Sequence, residues 1–125
     1  MKKFLLFLAF GLFSLMMFSQ ENKNNATSTL IIKSFESKQF DKIVETFDQT
    51  MKTALPADKL QLVWADLNQK CGNYLKYTDI TEGKIQEYDV NYVLCHFANL
   101  NLKLKLVYNK EHQIAGLFFI PAQNL

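Results

Sequence analysis

The chain contains no arginine, and several other specialised residues are scarce. Of its 125 residues, two are cysteine, two are histidine, two are proline and four are glycine. Arginine supplies the bidentate contacts by which proteins grip phosphates and read base edges, so its absence argues against a nucleic-acid partner. The formal net charge is +2, and without Lys2 and Lys3 at the N-terminus lysines and acids are equal in number. The sequence therefore carries no basic stripe for nucleic acid or membranes.

Motifs of catalysis and metal binding are also absent from the sequence. It has no Gly-x-Ser-x-Gly, no His-Glu-x-x-His, no Cys-x-x-Cys and no glycine-rich phosphate loop. Cys95 and His96 are adjacent, but neighbouring strand residues point to opposite faces of a sheet, so they cannot converge on one ion. His112 is expected to be a solvated turn residue. We predict no catalytic residue, no metal site and no cofactor.

The N-terminal residues 1–19 have the composition of a secretory signal peptide. Lys2 and Lys3 precede an apolar run over residues 4–18, and Ser19 is a small residue at a plausible cleavage point. A spanning helix needs about 20 apolar residues, so this run is short for a permanent anchor, which is the alternative. We expect cleavage before Gln20 and export to the periplasm or the extracellular space. No membrane association is expected after cleavage.

Residues 20–27 are polar and rich in asparagine, and they predict a flexible linker before a single domain over residues 28–125. A first helix is expected from Thr27 or Ser28, and a third from Pro56 to a glycine cap at Gly72. The third helix has an apolar stripe at Leu60, Val63, Trp64 and Leu67. A second helix is predicted from the apolar positions that recur at helical spacing: Phe40, Ile43, Val44, Phe47 and Met51.

The C-terminal half of the chain predicts an antiparallel meander. Residues 101–108 alternate with a period of two, with leucines on one face and Lys103 and Lys105 on the other. Strands are also expected over residues 74–80, 88–97 and 113–120, with a first turn at residues 82–84. The order predicts an α+β fold, with N-terminal helices packed on a curved four-stranded antiparallel sheet.

Several residues give the chain the appearance of a known family. They are Phe47-Asp-Gln-Thr-Met51, Ala54-Leu-Pro56, Leu60, Trp64, Gly72, Val93-Leu-Cys-His-Phe97 and Ile114-Ala-Gly-Leu-Phe-Phe-Ile-Pro121. In these positions the chain resembles the bacterial domain of unknown function family 3887, over about residues 30–121. That family resembles the nuclear transport factor 2-like superfamily, which implies a cone-shaped roll of helices and curved sheet. The family has no established catalytic residues, so the resemblance implies none here.

Cys71 and Cys95 could form a disulfide bond in an exported protein, but their Cα atoms would then have to lie within about 7 Å of each other. We favour free, buried cysteines. Amphipathic aromatic side chains bordering a curved sheet can line a pocket, although they can equally be ordinary core and rim. The candidate pocket-lining residues are Trp64, Tyr74, Tyr88, Tyr92 and His96.

These features predict an exported, non-catalytic domain that binds a small apolar or aromatic molecule, or a partner protein, around the curved sheet. The alternative is an enzyme of the same fold that uses His96 or a buried carboxylate as acid and base. Both faces of the last strand are apolar, so the sheet either curls closed or meets another chain. A homodimer through the outer sheet face is therefore expected to involve Val107, Leu117, Phe119 and one side of residues 90–97.

Overall fold

The computed structural model describes residues 23–122, so the predicted signal segment lies outside the described residues. Four strands form one antiparallel sheet in chain order, and the helices precede them, which confirms the α+β prediction. Within residues 23–122, no helix has the length and apolar character that crossing a membrane requires. The elements are α1 (Lys23–Glu36), α2 (Phe40–Val44), α3 (Gln49–Ala54), α4 (Ala57–Cys71), β1 (Tyr74–Ile85), β2 (Tyr88–Phe97), β3 (Asn101–Tyr108) and β4 (Ile114–Pro121).

The first helix begins earlier than the sequence predicts. Residues 23–27 are helical, so the expectation of a flexible linker is wrong for them, whereas residues 20–22 lie outside the described part. Their polar groups belong to the fold: the Asn25 carboxamide accepts a hydrogen bond from Asn91 at 3.0 Å, and the Asn24 backbone carbonyl accepts one from Tyr108 at 3.0 Å. Polar composition alone does not reveal such contacts with a distant strand.

The second predicted helix is two short helices, because the chain between α2 and α3 is tied to the sheet. Phe47 forms a parallel bridge with Ile114, whose backbone N–H donates to the carbonyl of Thr46 at 2.8 Å. Asp48 then caps α3, its carboxylate accepting a bond from the Met51 N–H at 2.8 Å. Phe47 is buried, so the helical spacing of apolar residues was real while the continuous helix was wrong.

The longest helix, α4, follows the prediction closely at both ends. Pro56 occupies the N-cap and Gly72 ends the helix at φ 84° and ψ 169°, a backbone region that only glycine adopts readily. Leu60 and Trp64 are buried as predicted, but Val63 is exposed on the outward side of the helix. The stripe facing the sheet is therefore narrower than expected.

The sheet has one face against the helices, which we call the inner face, and one opposite, the outer face. Leu102, Leu104 and Leu106 are buried on the inner face, as their alternation predicts. β1 continues to Ile85, so the first hairpin turn is at Gln86 and Glu87 instead of residues 82–84. Gln86 has φ 56°, so it takes the left-handed conformation that closes this tight turn without a glycine.

The apolar residues of β4 lie differently from the prediction. Leu117 pairs with Leu106 and Phe119 with Leu104, so both lie on the inner face. Phe119 packs edge-on against Phe35 of α1, with 5.5 Å between the ring centroids. The homodimer prediction was therefore wrong to place Leu117 and Phe119 on the outer face.

Both cysteines are free and buried in the same apolar core, in agreement with the favoured interpretation. Burial raises the pKa of the Cys95 thiol to about 12, and this effect outweighs a backbone hydrogen bond at Leu104 that lowers it. A thiol with so high a pKa is protonated at neutral pH and is a poor nucleophile. Cys95 is therefore a small core residue.

Candidate functional site

The five residues predicted to line a pocket lie on two different faces of the sheet. Trp64 and Tyr74 are on the helix-covered side, where their rings are 5.2 Å apart. Tyr92 and His96 lie opposite Lys105 and Asn101 on the outer face, and Tyr88 shares that face because it lies four residues before Tyr92. The strand alternation thus separates these side chains, and they do not form one pocket.

Trp64 is mainly a core residue, and the small part of its ring that reaches the surface borders a depression that Tyr74 and Glu36 also line. It is 5% exposed, and its indole stacks on Phe35 with 4.8 Å between ring centroids. Tyr74 lies at the edge of this cluster and donates its hydroxyl hydrogen to the Glu36 carboxylate at 2.6 Å. Burial, and to a smaller extent this hydrogen bond, raises the pKa of Tyr74 far above its usual value. Both residues hold α1, α4 and the sheet together.

His96 bonds the Thr78 hydroxyl through Nε2 at 2.9 Å on the outer face. Its partner is thus a hydroxyl, in a hydrogen bond that is exposed to solvent. Between Lys23 and Ala122 no aspartate or glutamate is buried. The enzyme alternative relied on His96 or a buried carboxylate as acid and base; the described residues offer no buried carboxylate, and His96 lies on the open outer face of the sheet.

A polar cleft opens at the other end of the molecule, where the first turns of α1 face the β1–β2 hairpin and the β3–β4 turn. Its volume is about 450 Å³, which is in the range of small-molecule sites. Its walls carry amide, imidazole, carboxylate and ammonium groups. The lining residues are Asn24, Glu82, Gly83, Lys84, Asp89, Asn91 and His112.

Behind the cleft, four side chains and one carbonyl form a chain of hydrogen bonds. Tyr108 donates to the Asn24 carbonyl at 3.0 Å, which uses its only hydrogen. Ser28 lies 2.6 Å from the Tyr108 hydroxyl and must therefore be the donor in that bond. Asn91 donates to the Ser28 hydroxyl at 2.8 Å and to Asn25 at 3.0 Å. The direction of every hydrogen is fixed, and such chains strengthen cooperatively.

This network is almost dry. Ser28 and Tyr108 are fully buried, and Asn91 is 2% exposed. Burial raises the pKa of Tyr108 to about 12, although the hydrogen bond with Ser28 acts to lower it. Among the described residues, every fully enclosed side-chain nitrogen and oxygen has a hydrogen-bond partner. The fully enclosed groups behind the cleft are therefore satisfied.

The rim of the cleft is charged and more exposed. His112 has φ 64°, and its Nδ1 lies 3.0 Å from the Asn24 carboxamide oxygen, which fixes the ring over the entrance. The Lys84 ammonium is 3.7 Å from the Asp89 carboxylate, in a solvent-exposed pair. Such pairs contribute about 0–1 kcal/mol, so a ligand can separate them at small cost.

The sequence prediction missed this cleft. Asn24 was assigned to the linker and His112 to a solvated turn, and His112 is instead half-buried against α1. One signal was available: Asn91 is a polar residue on the inner face of β2, two positions before the buried Val93. A buried amide on an otherwise apolar face needs partners, and it marks where the core becomes polar.

Comparison with protein families assigns most of the described chain to a family. The family model described as "Protein of unknown function (DUF3887)" matches residues 28–117, most of the described chain. No curated protein and no solved structure matches. The matched range includes Ser28, Asn91 and Tyr108 of the network behind the cleft.

Proposed function

Because the chain belongs to the DUF3887 family, whose description assigns no activity, we propose its function from the geometry: an exported, non-catalytic domain that binds a small amphoteric molecule in the polar cleft. The nuclear transport factor 2-like relationship and export to the periplasm or extracellular space belong to the same proposal. A polar ligand replaces the apolar or aromatic ligand expected from the sequence, since the aromatic residues on which that expectation rested are divided between two faces.

The orientation of the Asn91 amide carries the proposal. Both of its hydrogens are used by Asn25 and Ser28 on the α1 side. The carbonyl oxygen is therefore the atom of this amide that remains for a ligand, in a cleft wall that Asn91 itself lines. A nearly buried acceptor held in one orientation is a site that needs no rearrangement to bind a donor.

The charges around this acceptor define the ligand class. Asp89 and Glu82 supply carboxylates, and Lys84 supplies an ammonium group, all on the cleft wall. A molecule with one ammonium and one carboxylate group can exchange the exposed Lys84–Asp89 pair for two pairs of its own. The volume of about 450 Å³ admits a molecule of amino-acid size. We therefore name free α-amino acids as the ligand class.

Binding without chemistry is favoured because the lining of the cleft carries no hydroxyl or thiol, and the Ser28 hydroxyl behind it is not an available nucleophile. The Ser28 hydrogen is donated to Tyr108, and Ser28 is fully buried. A nucleophilic serine needs a base within hydrogen-bond reach, and the groups around this hydroxyl are a phenol and an amide. His112 directs its Nδ1 to an amide oxygen rather than to a hydroxyl or thiol.

Thermal unfolding of the protein with each free L-amino acid tests the proposal. A ligand at about ten times its dissociation constant stabilises by about 1.4 kcal/mol, which raises Tm by several degrees in a domain of this size. Ethanolamine and propionate, which each carry one of the two charges, are the matched probes and should have little effect.

Variants locate the site. Lys84→Gln and Asp89→Asn should each reduce the ligand-induced rise in Tm, whereas Lys59→Gln on the exposed side of α4 should leave it unchanged. The proposal is contradicted if no amino acid raises Tm, or if the cleft variants respond as the wild type does. Release of a new product from the bound amino acid would instead establish the enzyme alternative.

Export is tested separately by N-terminal sequencing of protein recovered outside the cytoplasm. A chain that starts at Gln20 supports signal cleavage before that residue. A chain that starts at Met1 would contradict it and favour an uncleaved anchor.

A further inference from the structure

The outer face of the sheet lies opposite the helices of residues 23–122, which pack on the inner face. Val90, at one end of the outer face, is fully buried, whereas the middle of this face is half-buried or exposed. Its centre is a mixture of apolar and basic side chains on β2, β3 and β4. These are Tyr92, Leu94, Lys103, Lys105, Phe118 and Ile120, and we call them the outer patch.

The two lysines of the outer patch lie over aromatic rings. The Lys103 ammonium is 5.7 Å from the centroid of the Tyr92 ring, and the Lys105 ammonium is 5.8 Å from that of Phe118. Both lysines are half-buried, so their aliphatic stems cover the sheet while the charged ends rest on the ring faces. Cation–π contacts of this kind reduce the mobility of a lysine and hold its charge in place.

The spacing of these charges follows from the strand. Lys103 and Lys105 are two residues apart on one face, which separates their Cα atoms by about 6.6 Å. Lys76 adds a third positive charge beside His96, and an acid, Asp79, borders the patch in a depression that it shares with Lys103. The outer face is therefore positive, with apolar groups between the charges.

We propose that the outer patch binds an extended acidic protein segment that carries a carboxylate at every second residue. Such a segment turns every second side chain to the same face, about 6.6 Å apart, which matches the spacing of Lys103 and Lys105. Its carboxylates would pair with these two lysines, and the methylene groups that bear them would cover Leu94 and Phe118 on the neighbouring strands. Phe118 is 52% exposed, so the patch offers apolar area that water now covers.

A second copy of the chain fits the patch less well. A two-fold interface brings the same patch together from both copies, so the lysine pair of one copy would face the lysine pair of the other. An extended segment needs to cover only the middle of the face, where the two lysines lie on β3.

Fluorescence anisotropy with a labelled peptide tests the inference. The probe is an acetylated peptide of about ten residues in which glutamate alternates with threonine, and the matched peptide has glutamine at each glutamate position. We expect the protein to bind the glutamate peptide, with an affinity that falls as salt is added, and to bind the glutamine peptide at least about tenfold more weakly.

The variant Lys103→Gln/Lys105→Gln removes both charges and keeps most of each stem. It should weaken binding of the glutamate peptide by about tenfold or more. The control variant Lys52→Gln/Lys59→Gln, which changes two exposed helix lysines, should bind the peptide as the wild type does. Circular dichroism checks that the variants are folded. If the double variant is not, the single variants should each weaken binding by about threefold.

Four results would overturn the inference. Equal binding of the two peptides would remove the role of charge, and unchanged binding by the double variant would move the site elsewhere. Sedimentation that shows a dimer disrupted by Phe118→Ala would assign the patch to a second copy. Preference for vesicles containing phosphatidylglycerol over the peptide would assign it to a membrane surface. None of these results depends on amino-acid binding in the cleft.

Discussion

Replacing Trp64 by alanine should remove a large part of the stability of this domain. Trp64 is 5% exposed and lies on α4, where its ring contacts those of Phe35, Tyr74, Phe97 and Phe119 at centroid distances from 4.8 to 6.1 Å. These partners come from α1, β1, β2 and β4, so one side chain joins one helix to another and both to the sheet. No rearrangement of a single neighbour can fill the space that it leaves.

The magnitude follows from this packing. Truncating a buried tryptophan to alanine costs about 3–5 kcal/mol, and ring–ring contacts place Trp64 at the upper end of that range. Domains of this size are stable by about 5–15 kcal/mol. We therefore expect Trp64→Ala to lower the free energy of unfolding by about 5 kcal/mol and Tm by about 20 °C or more.

Urea unfolding followed by far-UV circular dichroism measures the change, because Trp64 is the only tryptophan and its fluorescence is lost in the variant. Leu62→Ala is the matched control, since Leu62 is on the same helix and is 69% exposed. The Leu62→Ala control should lower the free energy of unfolding by less than about 0.5 kcal/mol. The core assignment would be refuted if the free energy of unfolding of Trp64→Ala lay within about 1 kcal/mol of the wild-type value, which is about the resolution of such data.

Two further predictions concern the end of α4 and the buried network. In urea unfolding, Gly72→Ala should lower the free energy of unfolding by about 1–3 kcal/mol, because φ is 84° and the new Cβ would lie 2.8 Å from that of Ala98. Gly83→Ala is the control and should lower this free energy by less, since the nearest atom to its new Cβ is 3.8 Å away. The pKa of Tyr108 is raised by burial from 10.0 to about 12, so its contribution to stability is complete below pH 10 and is lost as the pH rises to about 12. Tyr108→Phe should therefore be less stable than wild type at pH 7. Between pH 10 and 12 its free energy of unfolding should fall by about 3 kcal/mol less than that of the wild type. Equal pH dependence of this free energy in the two proteins would contradict this account.

The sequence by itself determined those elements whose pattern is local. The alternation of Leu102, Leu104 and Leu106 identified β3 and its buried face, because a strand repeats every two residues whatever it pairs with. Pro56 and Gly72 identified the ends of α4, because each has a backbone preference that needs no distant partner. The order of helices and strands was sufficient for the α+β class.

Tertiary structure decided the features that depend on distant pairing. Phe47 interrupts a helical pattern because its backbone bridges to Ile114, many residues later in the chain. β4 is apolar at consecutive positions, so its alternation is uninformative, and only pairing with β3 shows that Phe119 faces inward and Phe118 outward.

The cleft is the clearest example of this dependence. It exists because Asn24 and Asn25, from a segment that reads as linker, meet Asn91, Tyr108 and His112 from three later parts of the chain. Polar residues give no periodic signal until burial gives them partners, and the partners are set by how α1 crosses the sheet. The sequence supplied the hydrogen-bonding groups, and the packing of α1 on the sheet brought them to one place.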